Sequence, residues 1–277
     1  MLAHAPIKDA KPVLKWAGGK RQLLTQYAPY FPELGSYGRY FEPFIGSAAV
    51  FFHLQPSVAT LSDRNQQLIE VYQVIRNDVD GLIDALQGHL NESDYYYAVR
   101  AQNVETLTAV QRVARFIYLN KTCYNGLYRE NKKGKFNVPF GRYVNPKICD
   151  ENRLRAVSEM LQSIDILAID FEDAVATAQQ GDFVYLDPPY APLNKTSNFT
   201  SYDRYGFYDE DQERLAETIH DLTERGVHVM LSNSTADIIY ELYDLPQYLL
   251  IPIQARRNIN SKAAKRGLIS ELLILNY

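Results

Sequence analysis

Cysteine, tryptophan and unbroken apolar runs are what this 277-residue sequence has least of. Its two cysteines, Cys123 and Cys149, lie far apart and form no Cys-x-x-Cys pattern. With only five scattered histidines besides, the chain offers neither a disulfide framework nor a structural zinc site, and no metal is expected. No stretch approaches the roughly 20 apolar residues that cross a bilayer. Met1 to Lys15 holds no apolar core of a secretory leader, so a cytoplasmic protein with no membrane partner is expected. Charge of one sign is lacking too. The balance of 29 Lys and Arg against 33 Asp and Glu gives a net −4, which taken whole argues against a polyanion ligand. What remains, 46% hydrophobic and 22% charged residues, is an ordinary globular composition, long enough for a full core and one inserted subdomain.

Local charge counts point the other way. Asn120 to Lys147 carries seven basic residues (Lys121, Arg129, Lys132, Lys133, Lys135, Arg142, Lys147) against the single acid Glu130. Gln254 to Gly267 carries five, including Arg256 and Arg257, and no acid. A charge run alone is usually solvated surface. Two in one chain, the first interleaved with Tyr124, Tyr128, Phe136, Phe140 and Tyr143, point to a polyanion.

The stretch that organises the rest is Asp182 to Tyr190. Phe183 to Leu186 is a short apolar run suited to a buried parallel strand. It meets Asp187, Pro188 and Pro189, and the prolines can neither donate to a ladder nor relax their backbone. A rigid corner follows at the carboxyl end of a strand, where open α/β sheets bind ligands. Asp187 and a carbonyl pinned by the prolines can accept hydrogens from an exocyclic amino group, and Tyr190 can lie against a planar ring. By itself such a corner is equally a turn that ends a strand.

Gly18-Gly19-Lys20 suggests a phosphate loop, but Leu14 stands where its first glycine belongs and Arg21 where a magnesium-binding hydroxyl is needed. Two glycines beside the only tryptophan, Trp16, instead suggest close approach of a ligand to backbone. Arg39 to Leu54 reads as a strand ending near Phe41, a turn with Pro43 and Gly46, and a helix from about Ser47. A second strand, Val58 to Ser62, ends at Asp63, placed for ribose hydroxyls or else capping a helix over Gln66 to Arg76. Strand–helix alternation then stops until about Arg155. Helices are expected at Val79 to His89 and Ala109 to Asn120, followed by the basic aromatic loop. The α/β rhythm returns with strands at Ile164 to Ile169, Phe183 to Leu186, Val227 to Leu231, Tyr248 to Ile253 and Ile269 to Leu275, and a helix at Asp209 to Arg225. Ala191 to Phe207, polar and rich in Asn, Ser and Tyr, reads as a mobile lid.

In this order the pieces resemble the DNA adenine-N6 methyltransferases of the Dam type, with their restriction–modification relatives, from Lys15 to Ile259. The resemblance implies an α/β fold: a Rossmann-like methyltransferase sheet from residues 1–64 and 155–277. Residues 65–154 would be an inserted, mostly helical target-recognition domain carrying a β-hairpin loop. It implies S-adenosylmethionine as cofactor and S-adenosylhomocysteine as product. Trp16, Ala17, Gly18 and Lys20 would bind the cofactor, with Glu42, Pro43, Phe44, Gly46 and Ser47 of the glycine turn. Asp63 and Asp187 join them, and Asp170 and Phe171 would lie beside the cofactor's adenine. At Ala48 the turn departs from the family, where a second glycine is common, and the added methyl is expected to tighten the pocket.

By the same resemblance Asp187, Pro188, Pro189 and Tyr190 are the catalytic tetrapeptide, and Tyr124 to Arg129 with Phe136 to Gly141 is a GATC-reading loop. Lys15 and Arg129 would meet guanines, and Leu127 and Pro139 the thymine methyls. Tyr124 and Asn125 would fill the gap left by a flipped adenine, with Asn137, Arg256 and Arg257 as further DNA contacts. A monomer acting on double-stranded DNA is implied, with a separately acting restriction endonuclease as the protein partner of the restriction–modification members.

Overall fold

The computed structural model describes residues 6–131, 134–193, 206–256 and 268–277, without the side chains of 255, 256, 268 and 269. In chain order, α1 (Leu24–Tyr27) precedes β1 (Tyr40–Glu42), α2 (Ala49–Leu54) and β2 (Ala59–Ser62). Four helices follow: α3 (Gln66–Asn77), α4 (Val79–Gln87), α5 (Ser93–Ala101) and α6 (Ala109–Thr122). After the basic loop come α7 (Glu151–Leu161), β3 (Asp165–Leu167), α8 (Phe171–Val175) and β4 (Phe183–Leu186). The chain closes with α9 (Asp209–Glu224), β5 (His228–Ser234), α10 (Asp237–Tyr243), β6 (Leu249–Arg256) and β7 (Leu268–Leu275).

The strands form one seven-stranded sheet in the order β3-β2-β1-β4-β5-β7-β6. β1 pairs in parallel with β2 and β4, and β3 and β5 extend the parallel run on either side. β7 is antiparallel to both β5 and β6. Strand order therefore reverses between β1 and β4, which opens a crevice above their carboxyl ends.

Both faces of the sheet are covered, as continuous apolar strands require. Alternation sends Tyr40, Phe183 and Tyr185 into one cluster with Leu68, Val71 and Tyr72 of α3, Ile117 of α6 and Val157 of α7. Phe41, Val184 and Leu186 go to the other, with Leu215 and Ile219 of α9 and Ile239 of α10. A third, smaller cluster of Tyr96, Val99, Tyr118, Leu119, Cys123 and Val138 joins α5 and the end of α6 to the loop. Its extent is local, but α3 belongs wholly to the sheet's own core.

Boundaries follow local chemistry. Asn65, not Asp63, caps α3 by accepting from the backbone of Gln67 and Leu68. Thr108 and Gln111 form a reciprocal capping box at the start of α6. α9 ends where Gly226 takes a left-handed φ of 73°. Helices α5, α7 and α10 lie where no helix is expected from the sequence. In α5 the run Tyr95-Tyr96-Tyr97 hides the amphipathic period, because only Tyr96 among them is buried.

Candidate active site

Asp187 leaves the end of β4 at the point of strand-order reversal, and its carboxylate meets Lys20. Lys20 Nζ lies 2.6 Å from Asp187 Oδ1, with the lysine side chain 4% exposed and the aspartate 20%. The same ammonium donates to the Gly18 carbonyl at 2.9 Å and stands 4.8 Å from the centre of the Tyr190 ring. Ser232 Oγ, from β5, donates to Asp187 Oδ1 at 3.0 Å. Both of these contacts fall on Oδ1. Pro188 is buried, and the Pro189 carbonyl accepts from Gln212 Nε2 at 3.0 Å, so the corner is held from α9 as well.

A cleft beside this corner is lined by Trp16, Ala17, Gly18, Lys20, Glu42, Gly46, Ser47 and Asp187, eight of the residues expected at a cofactor. Gly46 has φ +46°, and a Cβ there would come within 2.9 Å of Trp16 Cδ1. The tryptophan packs against a backbone only glycine can offer. Glu42 is buried; its Oε2 accepts from the Tyr40 hydroxyl at 2.7 Å and the Phe51 amide at 3.1 Å. Burial pushes its carboxyl up to about 8, Asp187 adds a little, and the two hydrogen bonds oppose. The methyl of Ala48 is wholly buried in the sheet core and does not line the cleft. The departure from glycine is felt in the backbone instead, because Ala48 sits at φ 55° in the left-handed region.

The remaining expected cofactor residues lie at the neighbouring strand ends. Pro43 and Phe44 continue the turn, which is tied to β2 by the Ile45 amide on the Ser62 carbonyl at 3.0 Å. Asp63 Oδ1 accepts from the Asn65 amide at 2.9 Å. Asp170 caps α8 and pairs with Arg214 at 3.2 Å. Phe171 is buried between Phe44, stacked at 5.5 Å, and the Arg214 guanidinium at 4.6 Å, with Phe207 closing the group.

The basic loop is anchored on the side of this cleft. Trp16 stacks on Tyr128 at 5.5 Å, and Tyr128 on Phe116 of α6 at 5.1 Å. The buried Asn120 side chain accepts from the Lys15 amide at 2.9 Å and donates to the Lys15 carbonyl at 2.7 Å. It also reaches the Gly126 carbonyl at 3.3 Å. Asn125 and Gly126 take consecutive left-handed conformations, φ 57° and 63°, leaving Tyr124 and Asn125 exposed. Arg129 is exposed, and its Nε donates to Asn137 Oδ1 at 2.7 Å. Bridges at Glu130–Phe136 and Cys123–Phe140 pair the two arms of the loop. Lys15 is exposed with its Nζ 3.9 Å from the Tyr143 ring, Leu127 is half-buried and Pro139 exposed. Arg256 ends β6. Its side chain, Arg257 and most of the second basic run, with Lys132, Lys133 and Asn194 to Tyr205 of the expected lid, lie outside the described residues.

Several residues at the corner carry no motif in the sequence. Glu271 of β7 accepts from the Tyr190 hydroxyl at 2.7 Å, and burial raises its carboxyl pKa. Tyr27 of α1 is fully buried as well, its ring 6.5 Å from that of Tyr185 of β4. Ser232 and Asn120 act on expected site residues in the same way. Their one sequence signal is a polar group within an apolar run, as with Glu271 before Leu272 to Leu275.

Among the described residues no group of His, Cys, Asp or Glu is arranged to hold a metal ion, and no helix is long and apolar enough to cross a membrane. A glycine-lined crevice at the switch point thus lies beside an Asp-Pro-Pro-Tyr corner and an aromatic basic loop. Residues 16–259 match the model of the D12 class N6 adenine-specific DNA methyltransferases, and the chain belongs to that family. It is 47% identical to the type II methyltransferase M.MjaIII of Methanocaldococcus jannaschii, over 97% of this chain and 100% of that one. It is 44% identical to the type II methyltransferase M1.LlaDCHI of Lactococcus lactis subsp. cremoris, over 97% and 96%. With the DNA adenine methylase of Escherichia coli K12 it shares 35% identity, again over 97% and 96%. The protein is an adenine-specific DNA methyltransferase, and membership implies DNA as substrate and S-adenosylmethionine as methyl donor.

Proposed function

We propose that this enzyme methylates N6 of an adenine flipped out of duplex DNA, within GATC. The observation that carries the reading is the Asp187-Pro188-Pro189-Tyr190 corner, poised over the β1–β4 crevice next to the Trp16–Gly46 cleft. The cleft's chemistry suits the cofactor: the Asp187 carboxylate faces a space where a sulfonium and an ammonium need counter-charge, Glu42 lines it as a buried carboxyl, and the backbone at Gly46 admits nothing larger than hydrogen. Asp63, Asp170 and Phe171 complete the pocket at the ribose and adenine ends in this proposal.

When bound, S-adenosylmethionine supplies an electrophilic methyl on sulfur. The exocyclic nitrogen of adenine is a weak nucleophile because its lone pair is delocalised into the ring. Asp187 Oδ2 and the Pro188 carbonyl would accept its two hydrogens, which favours a pyramidal nitrogen with its lone pair exposed. As the nitrogen gains the methyl, the sulfur–methyl electron pair stays with S-adenosylhomocysteine and the surplus nitrogen proton leaves through Asp187 to solvent. Tyr190 stacks on the base, and positioning with electrostatics supplies most of the rate. Unstacking the base costs a few kcal/mol, offset by these contacts and by Tyr124 and Asn125 in the gap.

The target-recognition module spans residues 65–154, is rooted in the sheet's core through α3, and faces DNA with the hairpin-like loop. Arg129, oriented by Asn137, and Lys15, held by Asn120, read guanines, while Leu127 and Pro139 meet thymine methyls. Arg256 and Arg257 add backbone contacts. The higher identity to two type II methyltransferases, 47% and 44% against 35% for a DNA adenine methylase, favours a restriction–modification role with a separate cognate endonuclease. The working unit is a monomer.

The test is incubation of the protein and S-adenosylmethionine with plasmid DNA lacking N6-methyladenine, with modified positions mapped by single-molecule sequencing. Methylation confined to GATC is expected, and Arg129→Ala should relax it at the guanine. Methylation at another motif would discard the base-reading roles and leave the corner chemistry standing.

A further inference from the structure

We infer that Glu271 is a positioning residue for the reaction, clamping the Tyr190 ring from the strand opposite; this rests on the proposed stacking role of Tyr190. The topology makes the contact. β7 is the one strand antiparallel to β5, pairing Glu271 with Ser234, so its first half returns to the carboxyl edge where β4 and β5 end. A carboxylate there reaches over the active edge, whereas a parallel strand would begin at the far edge of the sheet.

Glu271 is otherwise out of place. The residues that follow it on the strand, Leu272 to Leu275, are buried and aliphatic, and the carboxyl is itself half-buried, with its pKa raised by desolvation. Burying a carboxyl is costly unless it is bonded. Its bond goes to the Tyr190 hydroxyl at 2.7 Å. A tyrosine in a corner of two prolines has a fixed backbone but a side chain free to rotate about χ1 and χ2. The hydrogen bond fixes the far end of the ring, and the Lys20 ammonium, 4.8 Å from the ring centre, steadies its face. Ring plane and Asp187 carboxylate are thereby held in one frame, since Lys20 also bonds Asp187 at 2.6 Å. A stacking platform loose in its plane would hold adenine off the line of transfer, a fault that lowers kcat more than it weakens binding.

The test compares Glu271→Ala, Glu271→Gln, Tyr190→Phe and the double variant Glu271→Ala/Tyr190→Phe in single-turnover methylation, with DNA and cofactor affinities measured separately. Loss of one charge-assisted hydrogen bond predicts a drop of about tenfold in the transfer rate for Glu271→Ala and for Tyr190→Phe. The double variant should fall no further than either single one. Cofactor and DNA affinities should stay within about twofold of the parent in all of them. Glu271→Gln keeps an acceptor for the hydroxyl and should retain most of the rate, which also covers a Glu271→Ala chain that fails to fold. Additive losses in the double variant would overturn the inference, as would a Gln variant as slow as Ala or a Tyr190→Phe enzyme at full rate. If the parent protein itself transferred no methyl to DNA, the fault would lie with the proposed function and not with Glu271.

Discussion

Replacing Asp187 by alanine should damage the protein twice, and the two injuries are separable. In the proposed reaction the carboxylate accepts from the adenine amino group, but it is also the partner of an ammonium that is only 4% exposed. Without it, Lys20 keeps the Gly18 carbonyl and the Tyr190 ring and loses its counter-charge. Stranding one member of a buried pair costs about 3–5 kcal/mol, and the cleft's opening on the aspartate side favours the lower end. For a chain of this length that is a fall of about 1 M in the urea midpoint. Lys20→Met in the Asp187→Ala background removes the stranded charge and fills its channel with an apolar chain, so most of the stability should return. Methyl transfer should not return, because Asp187 is still missing. The measurement is urea unfolding of parent, Asp187→Ala and double variant, each paired with a transfer assay. An Asp187→Ala protein as stable as its parent would refute the reasoning, and so would a double variant no firmer than the single one.

Two further outcomes are expected. Glu42 has its carboxyl pushed up to about 8 by burial, against 4.5 for the ordinary group. Its contribution to stability is complete below pH 4.5 and is lost as pH rises through 8, so the parent should lose on the order of 4 kcal/mol relative to Glu42→Gln between pH 5 and pH 8. Parallel unfolding curves for the two proteins across that range would disprove it. Gly46→Ala places a methyl 2.9 Å from Trp16 Cδ1 at φ +46°, and should cost about 1–2 kcal/mol while shifting the emission of the only tryptophan. An unaltered spectrum with parental stability would show that Trp16 does not depend on that glycine.

The sequence by itself determined the elements whose signals are local. Phe183 to Leu186 is a strand with the limits its apolar run and following prolines impose. The glycine turn after β1 and the acid after β2 are legible because glycine and chain order carry backbone meaning. Enough motif survives in Lys15 to Lys20, Tyr124 to Arg129 and Asp187 to Tyr190 to identify the family. Tertiary structure alone decided which side chains serve those motifs. Glu271 meets Tyr190 only because β7 inserts antiparallel between β5 and β6, a pairing no local period encodes. Asn120 clamps Lys15 across more than a hundred residues of chain, and Trp16 finds Tyr128 by packing. Local propensity fixes what a segment is, while burial and pairing across the sheet fix what it touches.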